Sequence, residues 1–142
     1  MSNRIISMCA AGLICAGCAF TQDIDTSKLE LPALESTDYI VEYEGYISSY
    51  NVLTKTPEWV AYELTKDETY GDAVRDGKFF SPDERVLLPQ PDDYDYRGSG
   101  WTRGHLAPAA DFRWSDDAMW DTFHFTNCCP QDKDLNEGMW NT

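Results

Sequence analysis

The stretch "SGWTRGHLAPAADF", residues 99–112, sets an arginine, a glycine and a histidine side by side in a chain of 142 residues with a formal charge of −14. His105, one of only two histidines, can accept a proton near neutral pH without special tuning. Arg103 offers a permanently charged planar fork suited to phosphate oxygens. Gly104 between them lets backbone approach closely. A histidine on a strand is more often structural than basic, so the triplet needs a partner. Residues 125–140, "FTNCCPQDKDLNEGMW", offer one. Asn136 falls in the first turn of an expected helix, although Asn is disfavoured in helix interiors. Its neutral amide oxygen suits a hard cation such as Mg²⁺ and leaves the ion's charge available to a phosphate and a departing oxygen. Together these side chains suit attack of water on a phosphodiester: His105 takes the proton, Arg103 neutralises charge on the phosphate, and Asn136 holds the metal. That chemistry requires His105 and Asn136 to converge on one cavity.

The elements that must position them are readable in outline. "YIVEYEGYISSYN" (39–51) predicts paired strands with a bend at Gly45. "EWVAYEL" (58–64) alternates and predicts a further strand. Residues 65–100 hold most of the Gly, Pro and Asp and read as loops. Ser115, followed by Asp116 and Asp117, predicts a helix running to about Thr122. Residues 123–127 look β-like. Asp134 with Glu137 resembles a capping box, which predicts a helix from about Leu135, with Leu135 and Met139 on its apolar face. The chain stops soon after that face is established, so residues 37–142 read as the N-terminal part of a longer domain.

Other candidates carry less. "DDYDYRG" (92–98) begins like a calcium loop, but Arg97 takes a ligand position and Gly104 stands where the closing Glu is needed. Cys128 and Cys129 are adjacent, a spacing that disfavours a mutual disulfide, and read as buried thiols. No Cys-x-x-Cys pair suggests structural zinc. His124, between two phenylalanines, reads as a strand-edge residue. Asp111, Asp116 and Asp117 could hold a cation, though helix-start aspartates are explained by the dipole alone. Trp101, Trp114, Trp120 and Trp140 could stack on bases, with core packing as the default.

The first 18 residues carry one cation, Arg4, and a short apolar run, which reads as an export signal. Two cleavage readings compete: after Ala19, or before Cys18 with lipid on its thiol, the latter preferred. Residues 19–36 read as an acidic tether. Removing the leader takes away Arg4 and no acid, so the mature chain is still more negative. It would repel nucleic acid at long range, leaving contact with any polyanion to a few local cations and a metal.

From "YRGSGWTRGHLAPAADF" through "TFHFTNCCPQDKDLNEGMW", with "PEWVAYELT" before them, the chain resembles the DNA/RNA non-specific endonucleases, the ββα-metal nucleases related to endonuclease G. The resemblance covers roughly residues 39–142 and is densest after Gly98. It implies an α+β domain with an antiparallel or mixed sheet, a ββα-metal (His-Me finger) motif, truncated here at the C-terminus. It also implies His105 as proton acceptor, Arg103 as its companion, Asn136 as ligand for Mg²⁺ (Mn²⁺ as an alternative), Asn127 as a supporting site residue, and DNA and RNA as substrates. Arg75 is similar in position to an upstream phosphate-binding arginine of the family, but its spacing to Asp83 fits poorly, and no role is carried to it. Two departures stand out. The family's leading Asp is Thr102 here, and a glutamate beyond the metal Asn would fall after Thr142. Thr102 and the acidic surface favour a second expectation, a non-catalytic surface lipoprotein that retains the scaffold for binding.

Overall fold

The computed structural model describes residues 31–35 and 37–138. The expected export leader with Cys18, most of the expected 19–36 tether, Met139 and Trp140 lie outside them.

The alternating stretch after Tyr39 forms β1 (Ile40–Glu42) and β2 (Ile47–Asn51), paired antiparallel with Val41 opposite Ser48. Their bend falls at Gly45, where an added Cβ would lie 2.5 Å from the Phe112 ring, so only glycine lets the turn lie against the core. β3 (Thr56–Ala61) starts before and ends before the expected 58–64 span. It is an edge of the three-stranded sheet β1-β2-β3, which is why Pro57 is tolerated in it. Central β2 is buried on both faces, and Ser48 satisfies its hydroxyl by donating to the Thr126 carbonyl at 2.8 Å.

Residues 65–100 are mostly irregular, as expected, with a 3-10 turn at Asp67–Thr69 and one α-helical turn, α1 (Asp93–Tyr96). The aspartates that begin like a calcium loop cap it instead. Asp92 accepts from the Tyr94 and Asp95 amides, and Asp95 accepts from the Asp92 amide at 3.0 Å. β4 (Thr102–His105) follows. α2 (Asp116–Asp121) begins where Ser115 predicts, the Ser115 hydroxyl accepting from the Ala118 amide at 3.2 Å.

Two expectations are corrected downstream. Residues 123–127 do not form a strand: Phe125–Asn127 make a 3-10 turn, and His124 meets Ser81 in an isolated parallel bridge. Phe125, Thr126 and Asn127 are all buried, so there is no solvent face to alternate with, and the Asn127 amide closes locally on the His124 carbonyl at 2.9 Å. β5 (Cys128–Gln131) then pairs antiparallel with β4, Thr102 opposite Gln131 and His105 opposite Cys128. The next helix, α3 (Lys133–Asn136), is capped by Asp132, which accepts from the Asp134 and Leu135 amides at 2.9 and 3.1 Å. Asp132 is the first carboxylate available after β5 and takes the role expected of Asp134. Asn136 therefore closes α3 rather than opening it.

The core lies between the sheet and the α2 region, with Val41, Tyr46 and Tyr50 meeting Phe112, Met119 and Phe123. A polar seam crosses one side of it. Tyr43 donates to the buried Asp83 carboxylate at 2.7 Å and contacts the Thr126 hydroxyl. Arg85 bridges Asp83 at 2.9 Å and Asp121 at 3.1 Å.

Candidate active site

Strand alternation on the β4–β5 ribbon sorts the site residues. Arg103 and His105 share a face with Cys128. Thr102 and Gly104 share the other with Gln131, whose side chain would lie 2.0 Å from a Cβ at Gly104. Glycine is required there because Gln131 lies across the strand and donates to the His105 carbonyl at 3.2 Å.

The imidazole of His105 is packed between Phe80 and Phe123, with ring centroids 4.5 and 4.8 Å away. Burial, aided by the Arg75 charge, lowers its pKa from 6.5 to about 4. The ring is therefore neutral at physiological pH, the form that can take a proton. Its Nε2 is buried and has no hydrogen-bond partner, an uncommon state for a buried polar atom in a folded protein.

Asn136 docks on the other end of the strand. Its two amide hydrogens go to the Thr102 hydroxyl at 3.0 Å and the Arg103 carbonyl at 3.1 Å. Thr102 in turn donates to the Gln131 carbonyl at 3.0 Å. Asn136 Oδ1 has no hydrogen-bond partner among the described residues. Thr102, where the related motif has Asp, thus orients the amide so that its oxygen is turned free. His105 stands on β4, while Asn136 stands on α3 and docks at the Thr102 end of that strand, about 10 Å of strand away. No hydrogen bond joins their side chains among the described residues, and two surface cavities of about 190 and 760 Å³ are lined by neither.

Asn127 is fully buried, donating to the Ala107 and Thr122 carbonyls, each at 2.9 Å, and accepting from the Ala107 amide at 2.8 Å. All of its amide groups are committed within the fold. It is a positioning residue that holds the chain leaving β4 against the turn before β5. Arg103 is exposed and pairs with Asp93 of α1. Exposed pairs of this kind contribute little stability and can be exchanged for a phosphate. Cys128 is raised to about 12 and Cys129 is also raised, both chiefly by burial, so neither is a nucleophile at neutral pH; both are free thiols. Among the described residues no cluster of three or more His, Cys, Asp or Glu side chains could hold a metal. Trp101 and Trp120 are exposed rather than packed in the core.

Arg75, set aside on spacing, lies close enough for its charge to bear on His105. The loop that carries it is tied across the fold: the Ser81 amide donates to the Phe123 carbonyl at 2.9 Å, and the Phe125 amide to the Ser81 carbonyl at 3.0 Å. The available signal was the basic and aromatic run "VRDGKFF" (74–80) in otherwise acidic surroundings.

A mixed α/β domain with antiparallel sheets, carrying this ribbon and helix, defines a class of phosphodiester-cleaving proteins. The chain belongs to the DNA/RNA non-specific endonuclease family, which it matches over residues 27–142. It is 40% identical over 101 residues to the mitochondrial nuclease EXOG of Xenopus laevis, covering 70% of this chain and 28% of that protein. It is 38% identical over 118 residues to human mitochondrial endonuclease G, covering 82% and 39%. A solved complex of EndoG with EndoGI superposes with a TM-score of 0.70 at 30% identity, covering 78% of this chain and 46% of that one. The chain thus spans less than half the length of these relatives.

Proposed function

We propose that this protein is a metal-dependent endonuclease that hydrolyses DNA and RNA with little sequence preference. His105 accepts the proton of the attacking water. Arg103, released from Asp93, and Arg75 neutralise charge building on the phosphate. Asn136 Oδ1 would hold a divalent cation, Mg²⁺ or Mn²⁺, which when bound would supply Lewis-acid stabilisation of the phosphate and of the departing oxygen. The single observation that carries the reading is the β4–β5 ribbon itself. It joins a neutral imidazole with an unpartnered nitrogen to an amide whose hydrogens are tied and whose oxygen is free. Low sequence preference follows from a site built for phosphate and metal rather than base edges.

Plasmid digestion tests it. Cleavage should require Mg²⁺, stop with EDTA, and fall about 10²–10⁴-fold in His105→Ala, the usual contribution of a positioned base. Cleavage that persists at full rate in the variant rules out this mechanism. The second reading, a scaffold kept for binding alone, is favoured by Thr102 in place of a carboxylate, and a calorimetric titration with Mg²⁺ separates the two. We also propose that residues 1–17 direct export and that Cys18, left at the head of the mature chain, carries the lipid anchor; a free Phe20 at the mature N-terminus, read by mass spectrometry, would refute the anchor.

A further inference from the structure

A cavity of about 190 Å³ opens beside the Thr102 end of the ribbon. Its apolar walls are Pro91, Tyr96, Trp101 and Pro130, with Lys55 and Ser99 among its polar edges. That volume is below the roughly 300–1,000 Å³ that holds a drug-sized ligand, which limits the occupant to about one ring system. The walls are set firmly. Tyr96 stacks on Phe125 at 6.1 Å, and its hydroxyl meets the Cys128 sulfur at 3.5 Å. Trp101 is presented by a tight double turn in which Gly98 and Gly100 stand at φ 73° and 88°, the left-handed region open to glycine at no steric cost. Ser99 closes that turn, accepting from the Trp101 amide at 3.1 Å and donating to the Tyr96 carbonyl at 2.8 Å. The result is a tryptophan that is 54% exposed at the end of a turn fixed by the backbone.

Position and charge indicate what the ring meets. Trp101 directly precedes Thr102, which holds Asn136, and Pro130 is the register partner of Arg103. The cavity is therefore within two residues of the proposed cleavage site, on the order of 7 Å along the strand. Lys55, at φ 55° in the turn between β2 and β3, brings a cation to its edge, only loosely countered by Asp95 at 4.0 Å. An exposed aromatic face beside a cation, next to a phosphate-handling site, fits a nucleobase on the aromatic surface with its backbone phosphate toward the cation.

We infer that the Pro91–Tyr96–Trp101–Pro130 cavity is a base-stacking subsite for a nucleotide neighbouring the scissile phosphate, with Trp101 as its platform and Lys55 meeting the backbone. This rests on the nuclease reading above. Stacking accepts any base, so the subsite positions substrate without imposing a sequence. It favours single strands, whose bases are not already stacked in a duplex.

The test measures binding of a short single-stranded oligonucleotide, and of a base-free sugar-phosphate chain of equal length, by fluorescence anisotropy with Mg²⁺ in a His105→Ala background. Trp101→Ala should weaken oligonucleotide binding about tenfold, leave the base-free chain unaffected, and be largely rescued in Trp101→Phe. Equal oligonucleotide binding in all three, while the protein with His105 intact still cleaves plasmid, overturns the subsite and spares the nuclease reading. Failure both to bind the oligonucleotide and to cleave plasmid overturns both.

Discussion

The ribbon around His105 and the polar seam around His124 place similar residues in opposite circumstances. Both imidazoles lie against aromatic rings, and both are held toward the neutral form, chiefly by burial. Each has one buried nitrogen without a hydrogen-bond partner. Around His124, however, the charges are already paired. Its Nε2 is 3.7 Å from Asp121, Arg85 joins Asp121 to Asp83, and the guanidinium lies 4.5 Å over the Tyr43 ring. Around His105 the one charge that bears on the pKa is a cation, Arg75. The seam is closed on itself and holds elements together; the ribbon leaves polar atoms and positive charge for something that binds. A lone histidine in a sequence does not reveal which of these it will be.

The largest expected contrast is between the two histidines. The loss of about 10²–10⁴-fold in plasmid cleavage expected for His105→Ala should shrink to less than about threefold for His124→Ala, with thermal denaturation showing the second change as a stability defect. Equal losses of activity would collapse the distinction.

Next in size is a contrast of ion pairs. Burial alone would raise the Asp83 carboxyl, but the Arg85 guanidinium and the Tyr43 hydroxyl overcome it and hold the pKa below the usual carboxylate range. Removing it in Asp83→Ala should cost about 2–3 kcal/mol in urea denaturation, below the range for a fully buried pair because Arg85 is half-exposed. Asp93→Ala breaks only the exposed pair with Arg103 and should cost less than about 0.5 kcal/mol.

A smaller effect is expected at Thr102. Thr102→Asp places a carboxylate beside the amide that would hold the cation, and should lower the half-saturating Mg²⁺ concentration in the cleavage assay about tenfold, the scale of outer-shell metal effects. Unchanged Mg²⁺ dependence would mean that the hydroxyl already orients Asn136 as well as a carboxylate does.

The smallest is in the pH profile. A base with a pKa of about 4 keeps its free form well below neutrality, so the acidic limb of kcat/KM should hold to about pH 4 rather than bend near 6.5. The stability consequence has the opposite appearance. Between those two values the unfolded chain binds the proton that folded His105 refuses, so stability rises with pH through this window and is lost as pH falls from about 6.5 toward 4. His105→Ala should flatten that part of the denaturation profile.

Much of the site was legible because its signals are local. The order Thr102, Arg103, Gly104, His105, the Ser115 cap and the bend at Gly45 each depend on a few neighbouring residues, and the structure has the cap and bend where expected. Asn127 was visible as a residue near the site, but its inward commitment to Ala107 and Thr122 was not, because the carbonyls it bonds belong to two other segments. The end of the molecule misled for a related reason. Asp132 and Asp134 are both competent caps, and the choice between them falls to where β5 releases the chain.

Sequence alone determined the family and the antiparallel pairing about a glycine bend, and singled out His105 and Asn136 as candidates, since these follow from residue type and short-range spacing. Only tertiary structure decided that Thr102 anchors Asn136, that Arg75, thirty positions upstream, lies near enough to bear on His105, and that Trp101 faces outward. Those outcomes depend on which distant segments share a ribbon or a loop, and burial, charge and hydrogen bonding act through space rather than along the chain.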